Sequence, residues 1–309
     1  MRLLNTHTFQ LETFDSERAR PPYAILSHTW GTDEFLFEDV GARSINLLSA
    51  ARNAGQAKVI ESCREARHNG YRHIWVDTCC INKASSSELS EAVNSMFKWY
   101  SSAAVCYVYL ADLSSTRVEE LPASNTEFAR CRWFKRGWTL QELIAPPHVE
   151  FFNRDWVQVG TRQSLAVCIS HITSISLDIL ARSGDSGGSL QVGLAATSVA
   201  TRMSWAAERE TTRQEDLAYC LLGLFDVNMP LMYGERKKAF LRLQEQIIKK
   251  SNDQSILAWT MVERAWPSPA QELVTGHGLL IRARIMTVDF LDRRGVRLEV
   301  EASGCPAGE

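Results

Sequence analysis

The chain has 309 residues, of which 45% are hydrophobic and 23% are charged, and this composition is typical of a globular protein. Its net charge of −2 provides no global field that would attract nucleic acid or an anionic membrane surface. The length suits one large domain or two ordinary ones, and no apolar run reaches the roughly 18–20 residues that span a bilayer.

Eight cysteines are distributed without any C-x-x-C pair, and the apolar stretch at residues 1–7 is too short for a secretory signal. We therefore expect free thiols in a reducing compartment, the cytoplasm, instead of a disulfide framework. The spacing of a structural zinc site is absent as well.

Alternating buried strands and helices are predicted in the first half of the chain. Apolar runs predict strands at residues 23–27, 73–77, 105–110 and 149–152, and helical spacing predicts helices at 56–68, 87–101 and 134–144. Strands separated by helices imply right-handed crossovers, so the sequence predicts an α/β domain with a parallel sheet flanked by helices.

The pattern changes at about residue 160, where a mainly helical extension begins. Helices are predicted at residues 164–175, 195–209, 215–225 and 234–250, and weak alternation from residue 278 onward predicts a small β tail. The glycine-rich loop at 183–189 lacks the lysine and the strand context of a phosphate-binding loop and is interpreted as a linker. We divide the chain into residues 1–158, 159–260 and 261–309.

Polar and aromatic residues follow the first two predicted strands, where ligands of parallel sheets bind. They are Ser27, His28, Trp30 and Gly31 after the first strand, and Asp77 and Asn82 after the second. The first group forms either a ligand loop with an imidazole and a stacking ring, or a turn with a packed indole and a capping histidine. Asp77 and Asn82 either bind a ligand hydroxyl or organise the N–H groups of their own loop.

The predicted helix at 134–144 carries Trp138 and Glu142, which are four residues apart and therefore share a face. A carboxylate beside an indole can have a raised pKa and can hold a sugar hydroxyl. The alternative is that Glu142 is a surface residue of an amphipathic helix and Trp138 a core residue. Basic residues crowd the start of this helix, namely Arg130, Arg132, Lys135 and Arg136. They form either a phosphate site at a helix N-terminus or a solvated basic turn.

Three blocks of sequence together resemble the fungal heterokaryon incompatibility (HET) domain. They are YAILSHTWG at 23–31, IWVDTCCIN at 74–82 and RGWTLQELIAP at 136–146. The similarity continues with EDLAYCLLGLFDVNMP at 215–230 and YGE at 233–235, so it covers about residues 1–260. Lys83 and Arg236 depart from the family pattern, which more often has Gln and Gly at these places.

The segment WTLQEL at 138–143 also resembles a segment of plant TIR domains, whose sheet is flavodoxin-like. Many TIR domains cleave NAD+ at the nicotinamide–ribose bond with the glutamate of this segment. The resemblance implies that Glu142 is catalytic, that Trp30 or Trp138 stacks on a ring, and that Arg132, Lys135 and Arg136 face the diphosphate. NAD+ is then a substrate, and no cofactor is expected.

The resemblances imply a nonself-recognition effector of fungal cell death that hydrolyses NAD+. One alternative is a non-enzymatic signalling module that acts by homotypic assembly, and another is an enzyme with a different substrate. The expected partners are NAD+ or a related nucleotide, together with a second copy of the chain or another incompatibility or NLR-type protein. Neither nucleic acid nor a membrane span is expected.

Overall fold

The computed structural model of the chain describes residues 1–40, 53–116, 126–181 and 189–257, together with two short strands at 272–274 and 280–282. These two strands pair antiparallel, and the second lies in the region where the sequence predicts β structure. Most of the glycine-rich loop, and the predicted β tail after residue 282, lie outside the described residues.

Seven strands form one sheet in the described part of the chain. In chain order they are β1 (Arg2–Asn5), β2 (Leu11–Thr13), β3 (Ala24–His28), β4 (His73–Trp75), β5 (Val105–Tyr109), β6 (Val149–Phe152) and β7 (Gln158–Thr161). Their spatial order is β2-β1-β4-β3-β5-β6-β7, and the four central strands are mutually parallel. The α/β class predicted from the sequence is therefore confirmed.

The sheet is mixed, which corrects the prediction of a parallel sheet. β1 pairs antiparallel with both β2 and β4, and β7 pairs antiparallel with β6. A strand at the edge of a sheet can face solvent, so its sequence need not be a continuous apolar run. β2 and β7 are accordingly half-exposed, whereas all five residues of β3 are buried.

Two long helices with polar caps connect the first three parallel strands. α1 (Ala54–His68) begins after Asn53, whose side chain accepts from the Gln56 N–H at 3.0 Å. α2 (Ser86–Ser102) begins after Ser85, whose hydroxyl accepts from the Glu88 N–H at 3.4 Å. Both caps satisfy backbone donors that a helix N-terminus leaves free.

The crossover rule places α1 on one face of the sheet and α2 on the other. The chain moves from β3 to β4 in one direction across the sheet and then returns over β3 to β5. Right-handed crossovers in opposite directions cover opposite faces. α2 indeed packs beneath β3, where the Tyr100 hydroxyl donates to the Leu26 carbonyl at 3.2 Å.

The helix predicted at 134–144 is interrupted. A 3-10 turn covers Arg132–Lys135, and α3 covers only Thr139–Ile144. Between them the Gly137 N–H donates to the Glu210 carbonyl at 2.9 Å, and a β carbon on Gly137 would lie 2.6 Å from the Thr211 methyl group. Backbone pairing with a distant segment replaces helical hydrogen bonds at this point.

The second half of the described chain is mainly helical, with shorter helices than the periodicity predicts. They are α4 (Ala166–Thr173), α5 (Leu177–Leu180), α6 (Ser189–Ala196), α7 (Val199–Ser204), α8 (Asp216–Tyr219) and α9 (Lys238–Lys250). The predicted helix at 195–209 is divided because the Ser198 hydroxyl caps α7, accepting from the Thr201 N–H at 3.2 Å.

This helical extension packs directly on α2. The Asn94 side chain bonds both the N–H and the carbonyl of Met229, at 3.2 and 3.3 Å. Gly223 lies against Phe97 so closely that a β carbon there would be 2.0 Å from the β carbon of Phe97. The extension therefore shares one hydrophobic core with the α/β part.

Candidate active site

Glu142 and Ser27 meet under the carboxyl end of β3. Ser27 is the fourth residue of the strand, and Glu142 lies in the middle of α3. The Ser27 hydroxyl donates to Glu142 Oε2 and accepts from the indole N–H of Trp133 at 2.7 Å. Both residues are buried, with 1% of Ser27 and 7% of Glu142 exposed. The carboxyl group is thus held in one orientation.

Burial raises the pKa of Glu142 to about 8, because the charged form loses its hydration. The hydroxyl groups of Ser27 and Tyr100 oppose this shift, while the negative charge of Asp77 reinforces it. The free carboxyl group is therefore largely protonated at neutral pH. Its pKa is close enough to neutral pH that a positive charge brought near the group would cause it to lose its proton.

Asp77 lies in the turn after β4, at the same edge of the sheet. Its Oδ1 accepts from His28 Nε2 at 3.1 Å, and its Oδ2 accepts from the indole N–H of Trp30 at 2.9 Å. The turn is closed by the N–H groups of Cys79 and Cys80, which donate to the Val76 carbonyl. The strand ends at Trp75, two residues earlier than predicted, because Val76 belongs to this turn.

The pKa of Asp77 is held well below its usual range. Burial alone would raise it, but the positive charge of Lys83 and the hydrogen bonds from His28 and Trp30 favour the carboxylate more strongly. Asp77 is thus ionised at neutral pH, whereas Glu142 is largely neutral. Carboxyl groups whose environments separate their pKa values in this way are typical of acid–base sites.

His28 points to the opposite face of the sheet from Ser27, because neighbouring residues of a strand alternate. Its Nδ1 accepts from Lys58 Nζ at 2.7 Å, and the same ammonium group donates to Glu34 Oε1 at 2.7 Å. An ammonium group can only donate, so Nδ1 accepts this bond and the N–H on Nε2 donates to Asp77. A series of hydrogen bonds from Glu34 through Lys58 and His28 therefore orients Asp77.

A family model described as heterokaryon incompatibility protein (HET) matches residues 23–127, which include β3, β4 and β5. The vegetative incompatibility protein HET-E-1 of Podospora anserina is 48% identical over 232 residues, which are 74% of this chain. The chain is a HET-domain protein. The resemblance to the HET domain is confirmed, and the match spans only 16% of the length of HET-E-1.

Two further comparisons concern the remainder of the chain and the fold. A domain of unknown function (DUF8212) matches residues 238–289, beginning at the first residue of α9. No solved structure matches the chain. Every helix among the described residues is too short or too polar to cross a membrane.

The HET family match ends before α3, and two arginines from beyond β6 hold this helix. Arg162 donates to the carbonyls of Leu143, Ile144 and Pro146 at 2.8–3.3 Å, at the C-terminal end where cations are favoured. Arg209 Nη1 donates to the Arg136 carbonyl and to the Thr139 hydroxyl, both at 2.9 Å, at the other end. Both arginines are buried, so the helical extension positions Glu142.

Trp30 is an exposed residue of the predicted site, and Gly31 beside it contributes only its backbone. Trp30 is 43% exposed, and the ammonium group of Lys83 lies 3.5 Å from its ring centroid. The Gly31 N–H donates to Glu34 Oε1 at 2.6 Å. The indole therefore forms the solvent-facing side of the group around Asp77.

The other predicted site residues have different surroundings. Asn82 is bound within its own turn, accepting from the Ala84 N–H at 3.1 Å. Trp138 lies beside Asp216 of α8, on the side of the extension. Arg136 donates to the Thr212 hydroxyl at 3.2 Å, and Arg132 is exposed. The structure brings together Ser27, His28, Trp30, Gly31, Asp77 and Glu142, gives Asn82, Arg136 and Trp138 other neighbours, and leaves the Arg132 side chain exposed.

Several residues of the site have no signal in the sequence. Trp133 and Tyr100 lie in apolar segments, where they read as ordinary core residues. Lys58 lies next to Val59 and Ile60 of α1, and a lysine at a buried helical position is the one cue that periodicity provides. Arg209 lies 67 positions after Glu142 in the chain, so only the tertiary fold relates them.

Proposed function

We propose that this HET-domain protein acts in heterokaryon incompatibility by cleaving NAD+ at the nicotinamide–ribose bond, with Glu142 as its catalytic carboxyl group. The observation that carries the proposal is the buried Glu142 side chain, which Ser27 orients at the carboxyl end of a parallel strand and whose pKa is raised by burial and by the charge of Asp77. A poised carboxyl group at this place suits a reaction that develops positive charge on a sugar.

The strand order supports a TIR-like core. Among the parallel strands the second lies beside the first, followed by the third and the fourth, which is the order with which flavodoxin-like sheets begin. Such sheets bind ligands at the switch point between the first and third strands, which are β3 and β5 here. Ser27 lies at that point, and α3 follows the third strand.

The proposed reaction proceeds through a ribosyl cation. The C–N bond breaks with its electron pair going to the ring nitrogen, so nicotinamide leaves as a neutral molecule. The positive charge of bound NAD+ favours ionisation of Glu142, whose proton passes to solvent. The carboxylate then stabilises the oxocarbenium-like ribose and accepts a proton from the water that adds to it. The products are nicotinamide, ADP-ribose and a proton.

The biological context follows from the relative. HET-E-1 is named as a vegetative incompatibility protein, and we extend that role to this chain. We expect it to act in the cytoplasm in nonself recognition and cell death, through self-association or with another incompatibility protein.

The decisive experiment is chromatography of NAD+ after incubation with the purified full chain, at dilute and at self-associating concentrations. We expect nicotinamide and ADP-ribose from the wild type and none from Glu142→Gln. Glu150→Gln, which changes a half-buried carboxyl group on β6, is the matched control and should retain activity. Intact NAD+ under both conditions would sink the proposal and favour signalling by homotypic assembly. Activity that persists in Glu142→Gln would exclude Glu142 as the catalytic group.

A further inference from the structure

The ammonium group of Lys83 occupies a position whose surroundings suit a different cation. It lies 3.5 Å from the centroid of the Trp30 ring and 3.9 Å from Asp77 Oδ2. Among the described residues it has no hydrogen-bond acceptor, although an ammonium group has three N–H donors to satisfy. Burial accordingly lowers the pKa of Lys83. The position supplies an aromatic face and negative charge, but no acceptors.

Hydrogen bonds fix the Trp30 ring and the Asp77 carboxylate on either side of this position. The indole N–H of Trp30 is held by Asp77 Oδ2 at 2.9 Å, and Asp77 Oδ1 is held by His28. The negative charges of Asp77, Glu34 and Glu38 all act on Lys83, so the local field favours a cation. Trp30 is nevertheless 43% exposed, so a ligand can reach its face.

We infer that the Trp30 face and Asp77 form a subsite for the cationic pyridinium ring of NAD+, which takes the position of the Lys83 ammonium group. A pyridinium nitrogen bonded to ribose has no N–H, so it needs none of the acceptors that the position lacks. A planar cation over an indole gains both stacking and cation–π attraction. Lys83 has a flexible stem and can move into solvent when the ring enters. The inference rests on the proposed function for the identity of the ligand.

This geometry also gives the two carboxyl groups different roles. Asp77, which is ionised, pairs with the ring that leaves, while Glu142 faces the ribose at which charge develops. Once the C–N bond breaks, nicotinamide is neutral and loses its attraction to Asp77, so the subsite favours release of the product.

The test is binding of small probes, followed by NMR of the Trp30 indole N–H, which is assigned by its loss in Trp30→Leu. The probes are 1-methylnicotinamide, neutral nicotinamide and choline, added to the full chain. We expect 1-methylnicotinamide to bind best. Lys83→Met should tighten its binding by roughly 2- to 30-fold, the range of one cation–π contact. Trp30→Leu, which lacks this NMR signal and is therefore compared with the wild type by calorimetry, should weaken binding by a similar factor. Lys98→Met, which removes an exposed lysine of α2, is the control and should change nothing.

Several outcomes would overturn the subsite. They are equal binding of nicotinamide and its methylated cation, choline binding as tightly as 1-methylnicotinamide, or no gain in Lys83→Met, which changes a partly exposed side chain outside the hydrophobic core. The assay requires no turnover, so it is repeated in Glu142→Gln. Hydrolysis of NAD+ without cation selectivity overturns the subsite alone. Cation selectivity without hydrolysis supports the subsite and overturns the proposed reaction.

Discussion

Asp77 and Glu142 are two interacting carboxyl groups that the fold keeps in different protonation states at neutral pH. Asp77 is ionised, and Glu142 is largely protonated. The pKa of Asp77 lies well below its usual range, because Lys83, His28 and Trp30 stabilise the carboxylate despite its burial. The pKa of Glu142 is raised to about 8 by burial, and the charge of Asp77 adds to the shift. Each group therefore influences the other, and their coupling is measurable.

Replacing Glu142 should stabilise the chain at alkaline pH. The unfolded glutamate loses its proton near its ordinary pKa of 4.5, whereas the folded one keeps it until about pH 8. The folded state thus binds more protons between these values, and stability falls as the pH rises through that window, by up to roughly 5 kcal/mol. Glu142→Gln should remove this loss, so its melting temperature should exceed that of the wild type at pH 8 but not at pH 5. Glu91→Gln, at an exposed site on α2, is the control. If the melting temperatures of all three proteins changed in parallel with pH, the prediction would be contradicted.

Replacing Asp77 should lower the pKa of Glu142. Asp77→Asn removes a negative charge that disfavours ionisation of Glu142, so that carboxyl group should titrate below pH 8. The titration is followed by 13C NMR of the carboxyl carbon, identified by its absence in Glu142→Gln. An unchanged midpoint would show that the two carboxyl groups are not coupled.

Replacing Ser27 should raise the pKa of Glu142 further. The Ser27 hydroxyl favours the carboxylate form of Glu142, so Ser27→Ala should move the titration of Glu142 above pH 8. The change also leaves the buried indole N–H of Trp133 without its acceptor, which costs about 1–3 kcal/mol of stability. Chemical denaturation measures the second effect, and Ser27→Thr, which keeps a hydroxyl, should recover part of both. A midpoint below 8 in Ser27→Ala would contradict this reasoning.

Replacing Arg209 should weaken the hold of the extension on α3. Arg209→Met removes donors to the Arg136 carbonyl, the Thr139 hydroxyl and the Trp205 carbonyl, at a cost of roughly 2–4 kcal/mol of stability. Arg209→Lys should recover only part of this, because one ammonium group cannot reproduce the geometry of a guanidinium group. Denaturation midpoints rank the variants, and a midpoint for Arg209→Met equal to that of the wild type would exclude the role.

The sequence predicted the central features of this site because they are local. The runs Tyr23–Ser27 and His73–Asp77 are continuous apolar segments followed by polar residues, and that pattern is typical of buried parallel strands with ligands at their ends. The edge strands escaped prediction, because short half-exposed strands such as Leu11–Thr13 have no apolar run. The predicted helix around Gly137 was wrong in its first turns, since backbone pairing with Glu210 competes with helical hydrogen bonds there.

By itself the sequence determined the α/β class, the family and the edge of the sheet where Ser27, Asp77 and Glu142 come together, because these depend on hydrophobic periodicity and on contiguous motifs. The tertiary structure alone decided which side chains share a hydrogen bond, which carboxyl group is charged, and that Arg209 and Arg162 hold α3. These properties depend on burial and on contacts between residues far apart in the chain. A linear pattern contains neither, so the charge states of Asp77 and Glu142 emerge only when the chain is folded.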